Sequence, residues 1–174
     1  MDNVHIGLVD PKSPENMGSV LRAVGCYQAA AIRYTGSRYA RASQFVTDTK
    51  KRHVVVDIKQ VEDLISEAKA AGLQPVAVEL TLGATPLPTF QHPKQCMYIF
   101  GPEDGTIAQS VLDQCADVVF IPTTGCMNLA ATVNVILYDR LAKQHLGAQD
   151  HAEMNTLIEK SRDTNNRTIR AKKA

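Results

Sequence analysis

Short apolar runs alternate along this chain with segments whose apolar positions recur at helical spacing. Residues 4–9 read as a buried strand. Ser13-Pro14-Glu15 then opens a helix: Ser is a good N-cap, Pro suits the first helical position, and an acid favours the first turn. Met17, Val20, Leu21 and Val24 follow at helical spacing, and Gly25 marks the expected end. Further strands are expected over residues 29–34, 54–58, 75–80, 96–100 and 118–121. Helices are expected over 61–71 (stopped by Gly72), 107–115 and 128–146.

Alternation of this regularity predicts an α/β fold, with a mainly parallel sheet and helices on both faces. The last of these helices carries LAATVNVILY, apolar on nearly every side. Such a helix is expected to be buried on more than one face, in the core and against a second copy of the chain, although a long core helix would read the same way. Polarity rises from Gly147 onward. The expected division is a domain over 1–150 and a polar, basic, partly mobile extension over 151–174.

Composition adds little until it is resolved along the chain. The 174 residues are 44% hydrophobic and 21% charged, which suits one globular domain and excludes disorder throughout. The net charge of +1 hides an asymmetry. Residues 33–52 carry Arg33, Arg38, Arg41, Lys50, Lys51 and Arg52 against Asp48, a local +5. Residues 160–174 carry six basic residues against Asp163, again +5, which leaves −9 on the remainder. Basic segments on an acidic body point to a polyanion such as RNA, although solvated basic faces would read the same way.

No apolar run is long enough for a membrane span, and the first 15 residues lack the basic and cleavage signals of a secretory leader. A cytoplasmic protein with reduced thiols is therefore expected. Cys26, Cys96, Cys115 and Cys126 form no CxxC pair and no zinc spacing with histidine, so no metal is expected. The chain also lacks a Walker loop and a G-x-S-x-G elbow.

In an open α/β sheet, ligands bind at the carboxyl ends of the strands. Three of those ends carry unusual residues. Asn16-Met-Gly18-Ser-Val-Leu-Arg22 follows the first, with Asn16 and Arg22 nearly two helical turns apart. Phe100-Gly101-Pro102-Glu103-Asp104-Gly105 follows the fifth, a tight turn in which backbone can approach a ligand and Glu103 can accept hydrogen bonds. Ile121-Pro122-Thr123-Thr124-Gly125-Cys126-Met127-Asn128 follows the sixth and leads into the apolar helix. Each has a plainer reading alone: a cap-proximal Asn with an exposed Arg, an ordinary polar turn, and an Asn helix cap.

Together, in this order, the three segments resemble the SpoU-type (TrmH-type) branch of the SPOUT RNA methyltransferases. Its first motif is similar to Asn16-Met-Gly18 with Arg22, its second to the strand ending in Gly101-Pro102-Glu103, and its third to Ile121-Pro122 with Cys126-Met127-Asn128-Leu129. The resemblance implies a deep trefoil knot in the C-terminal part, S-adenosylmethionine as methyl donor, a homodimer, and methylation of a ribose 2′-hydroxyl. It implies a donor held by Leu80, Thr81, Gly101, Pro102, Gly105, Ile121, Cys126, Met127 and Leu129, and catalytic roles for Asn16, Arg22, Glu103 and Asn128. Family precedent gives the counterpart of Arg22 a part in proton removal; guanidinium hardly deprotonates, so anchoring a phosphate is the assignment taken here. Cys126 departs from the pattern, standing where the family usually has Ser.

Larger relatives carry a separate N-terminal RNA-binding domain, whereas here the first strand begins at Val4. RNA contact is accordingly expected through Arg22, Arg38, Arg41, Lys50, Lys51, Arg52, Arg167 and Arg170, with tRNA as the substrate class. Two alternatives stand beside this expectation. One is an RNA-binding protein of the same fold with altered catalysis, which Cys126 favours. The other is a doubly wound enzyme unrelated to RNA.

Overall fold

The apolar runs pair as expected, and one further strand joins them. The computed structural model of the chain describes residues 3–43, 56–144 and 151–161. Its sheet has seven strands: β1 (Asn3–Leu8), β2 (Ala31–Tyr34), β3 (Asp57–Gln60), β4 (Gln74–Val78), β5 (Thr85–Pro86), β6 (Gln95–Phe100) and β7 (Asp117–Phe120). Their spatial order is β3-β2-β1-β6-β4-β7-β5, and every pairing is parallel. The first three strands wind outward to one edge and the others fill the opposite side, so winding reverses between β1 and β6. A reversal of this kind opens a crevice at the carboxyl ends of the strands.

The alternating side chains of β6 show why helices cover both faces. Cys96, Tyr98 and Phe100 join one apolar cluster with Met17, Val20 and Val24 of α1 (Pro14–Tyr27) and Val133, Ile136 and Leu137 of α5 (Leu129–Gln144). Met97 and Ile99 join the other, with Leu64, Ile65 and Ala68 of α3 (Leu64–Ala70) and with Ile107. Two short helices complete this part of the chain, α2 (Arg38–Ser43) and α4 (Gln109–Leu112). The chain divides into two units, residues 1–141 and 142–174. Helix α6 (His151–Ser161) belongs to the second, and its Leu157 and Ile158 are exposed. No helix among the described residues is long and apolar enough to cross a membrane.

Element boundaries differ from expectation for local reasons. Helix α1 opens as read, with the Ser13 hydroxyl accepting from the Asn16 amide at 3.1 Å. It runs past Gly25 to Tyr27, because Gln28 takes the left-handed turn (φ 56°) expected of the glycine. Helix α3 starts three residues late. The Val61 amide stays bonded to the Tyr34 carbonyl (2.9 Å), and Asp63 caps the helix through the Ser66 amide (2.7 Å). Helix α4 is only four residues long, since Ile107 is drawn into the core and the Gln114 and Cys115 amides close tighter turns. The expected third strand is shifted to Asp57–Gln60, with residues 54–55 outside the described residues. Residues 145–146 of the expected long helix also lie outside them.

Helix α5 buries Leu129, Ala130, Val133, Ile136, Leu137 and Arg140, while Tyr138 remains 62% exposed.

Candidate functional site

Three loops at the carboxyl edge of the sheet bring Asn16, Glu103 and Asn128 together. Capping by Ser13 sets Asn16 in the first turn of α1. The Asn16 side-chain amide donates to Glu103 Oε1 at 3.3 Å, and its Oδ1 accepts from Asn128 Nδ2 at 2.7 Å. Asn128 is held in turn as the cap of α5, its Oδ1 accepting from the Ala130 (2.8 Å) and Ala131 (3.3 Å) amides. Capping therefore accounts for one end of Asn128 only; its other end is committed to Asn16.

Glu103 is the hub of this network. Beyond Asn16, its carboxylate accepts from the backbone amides of Lys12 (3.1 Å) and Ser13 (3.2 Å), tying the loop after β6 to the loop after β1. Burial alone would raise the Glu103 pKa. Hydrogen bonds from its own amide, Ser13, Asn16 and Lys12 outweigh burial and hold it below the usual carboxylate range. A lowered folded-state pKa stabilises the protein above the ordinary carboxylate value of about 4.3, and that stability is lost as pH falls through the lowered value. Glu103→Gln should therefore destabilise the protein fully above pH ~5, and the gap from wild type should close on acidification. Chemical unfolding at stepped pH checks this; a pH-independent gap would contradict it.

An outer ring of charge surrounds the hub. Arg38 Nη1 donates to both carboxylate oxygens of Asp104, at 2.9 and 3.0 Å, and Nε pairs with Asp10 at 2.8 Å, while Lys12 reaches Asp104 at 3.1 Å. Hydrogen bonds from Arg38 and then Lys12 pull the Asp104 carboxyl down to about 2. Arg33 is buried against Asp57 (2.7 Å) and Glu67 (2.9 Å). The +5 counted over residues 33–52 is therefore not one free basic surface: Arg33 and Arg38 are neutralised within the fold, and Arg41 is exposed. Lys50, Lys51, Arg52, Arg167 and Arg170 lie outside the described residues.

Beside the network lies a cavity of about 320 Å³. Leu80, Gly101, Pro102, Gly105, Ile121, Cys126, Met127 and Leu129 line it, together with Asn16, Glu103 and Asn128. Gly101 is closely packed: a Cβ there would stand 3.1 Å from Glu79 Oε2, and that carboxylate would have to give by a few tenths of an ångström. Thr81 does not line the cavity; its amide donates to the Glu79 carbonyl at 3.2 Å. Arg22 is exposed on α1 and likewise lies outside the lining. The lining also includes residues that the motifs did not single out, among them Val78, Glu79 and Phe120. Glu79 had one usable signal, its place directly after the apolar run of β4, at a strand end. Among the described residues, no group of three or more His, Cys, Asp or Glu is placed to hold a metal ion.

The parallel α/β fold is shared with solved RNA methyltransferases. The chain is similar to an AdoMet-bound rRNA methyltransferase from Sinorhizobium meliloti (21% identity, TM-score 0.64, 84% of this chain and 58% of that one). It is similar to the A. aeolicus TrmH/SpoU tRNA modifying enzyme (16%, TM-score 0.65, 92% and 87%). It is also similar to a structure described by 2-OH methylation of C/U34 on tRNA (21%, TM-score 0.65, 84% and 93%). The chain thus spans less than two thirds of the Sinorhizobium enzyme's length. No curated protein matches it significantly in sequence. Residues 3–138 match the SpoU rRNA Methylase family, and the chain belongs to that family.

Proposed function

We propose that this protein is an S-adenosylmethionine-dependent RNA methyltransferase that modifies a ribose 2′-hydroxyl, with tRNA as its substrate. The observation that carries the proposal is the convergence of Asn16, Glu103 and Asn128 beside a cavity lined by both apolar and polar residues. Leu80, Ile121, Met127 and Leu129 suit an adenine ring, and Gly101, Pro102, Gly105 and Cys126 present main chain to the donor's polar groups. When bound, S-adenosylmethionine supplies an electrophilic methyl group. The tRNA assignment draws on the likeness to two structures whose descriptions name tRNA.

A 2′-hydroxyl is a poor nucleophile and must be aligned before it reacts. Alignment can supply about 7–11 kcal/mol of a barrier. Asn16, fixed at both ends of its amide, and Asn128, fixed as a cap, are rigid enough to orient a ribose. Arg22 anchors an RNA phosphate from its exposed place on α1. It does so in a homodimer that covers Tyr138 of α5 and brings Arg22 to the neighbouring chain's cavity. Arg41, Lys50, Lys51, Arg52, Arg167 and Arg170 extend the RNA-contacting surface. The C-terminal part of the domain carries the trefoil knot.

Cys126 is exposed at the cavity and stands where the family usually has Ser. A second reading, an RNA-binding protein of this fold without transfer, rests on that one side chain, while the intact Asn16–Glu103–Asn128 network favours catalysis. If residue 126 serves the donor through its backbone, Cys126→Ser should leave donor affinity within about threefold, since a thiol is only a weak hydrogen-bonding partner. Calorimetric titration reads this, and a tenfold change would assign the role to the side chain. Mass mapping of RNA from a strain lacking the protein tests the function itself. Loss of one 2′-O-methyl mark in tRNA is expected, and an unaltered set of marks would refute the assignment.

A further inference from the structure

Glu79 is the one carboxylate of the cavity that the network around Glu103 does not engage. It ends β4 with its amide donating to the Val119 carbonyl of β7 at 3.0 Å. Its Oε1 accepts from the Leu80 amide at 2.9 Å, and its Oε2 accepts from the Ile107 amide at 3.0 Å. Glu79 therefore joins β7 to the loops that follow β4 and β6, three of the segments that form the cavity, and its position is fixed by backbone groups alone. Among the described residues no Lys, Arg or His forms an ion pair with it. The described lining contains two acids, Glu79 and Glu103, and no basic side chain. Glu103 is held by Asn16 and two backbone amides, and these neutral donors leave its charge in place as well. Two amide bonds leave lone pairs and a whole negative charge on Glu79, facing a partly enclosed space.

A cavity so charged should sort ligands of one shape by their charge. S-adenosylmethionine carries a sulfonium cation, and S-adenosylhomocysteine, the product left after transfer, carries a neutral thioether on the same scaffold. We propose that Glu79 is a specificity-determining residue that makes the cavity prefer the cationic donor to its neutral product, so that loss of the methyl group itself weakens the ligand's hold. The inference rests on the donor assignment made above.

Calorimetric titration of the full chain with each ligand tests it, comparing wild type with Glu79→Gln. Wild type should bind S-adenosylmethionine more tightly than S-adenosylhomocysteine. Glu79→Gln should reduce that preference about tenfold, the size expected for one partly screened charge pair. A role confined to holding the loops would weaken both ligands alike and leave the preference unchanged, and that result would overturn the proposal. A measurement on wild type alone gives a second reading should the variant fold poorly. Raising ionic strength should weaken S-adenosylmethionine binding more than S-adenosylhomocysteine binding, and equal salt dependence would contradict the proposal. Binding of neither ligand to wild type would instead overturn the donor assignment, and the inference with it.

Discussion

Arg22→Ala should lower methyl transfer on the order of a thousandfold while leaving affinity for S-adenosylmethionine within about twofold. The expectation follows from position. Arg22 is exposed on α1, is absent from the described cavity lining, and has no hydrogen bond or ion pair to the donor-side loops. Its removal cannot disturb the Asn16–Glu103–Asn128 network directly, because that network closes upon itself and upon backbone amides. What the variant loses is a planar, always-charged fork suited to a phosphate. Arg22→Lys should recover little, since an ammonium keeps the charge without the bidentate geometry. Single-turnover transfer measured beside donor titration separates the two effects. Equal loss of transfer and donor binding would contradict the assignment.

The largest effect on stability should come from Arg140→Leu, at about 3 kcal/mol or more of unfolding free energy. Arg140 is only 5% exposed, and its guanidinium donates to the carbonyls of Pro93 (2.6 Å) and Lys94 (3.2 Å) and to the Tyr98 hydroxyl (3.0 Å). The Tyr98 hydroxyl also meets His92 Nδ1 at 2.6 Å, and His92 Nε2 meets Asp139 at 2.8 Å. Burial, reinforced by Cys96, pushes the Tyr98 phenol far above its ordinary range despite Arg140, so it stays a neutral donor and acceptor within this network. Leucine fills part of the space but takes the donor from two part-buried carbonyls and from the buried Tyr98 hydroxyl. Denaturant unfolding should show a lower midpoint with an unchanged slope. A loss below about 1 kcal/mol would mean that water reaches those carbonyls.

Both predictions concern residues whose partners lie far off in sequence, and that distance marks the limit of what the sequence reveals. The parallel α/β architecture was legible because buried strands and amphipathic helices have different periods. The convergence of Asn16, Glu103 and Asn128 was legible because each follows a strand end, where such sheets bind ligands. Strand β5 was not legible, since two residues ending in proline at a sheet edge have no period. The end of α1 was misread because Gln28, not Gly25, carries the positive φ. The surface charge of the basic segment was not legible for a different reason. Local counting cannot show that Arg33 meets Asp57, 24 residues on, and Glu67, 34 residues on, or that Arg38 meets Asp104. Charge along a sequence becomes charge on a surface only after ion pairs are subtracted.

Purified protein incubated with tRNA and methyl-labelled S-adenosylmethionine, followed by digestion to nucleosides and mass analysis, tests the proposed reaction most directly. Label on the ribose of a single nucleoside type, abolished by Arg22→Ala, is the result expected. Label on a base, or tRNA left unlabelled while the protein binds the donor, would contradict it.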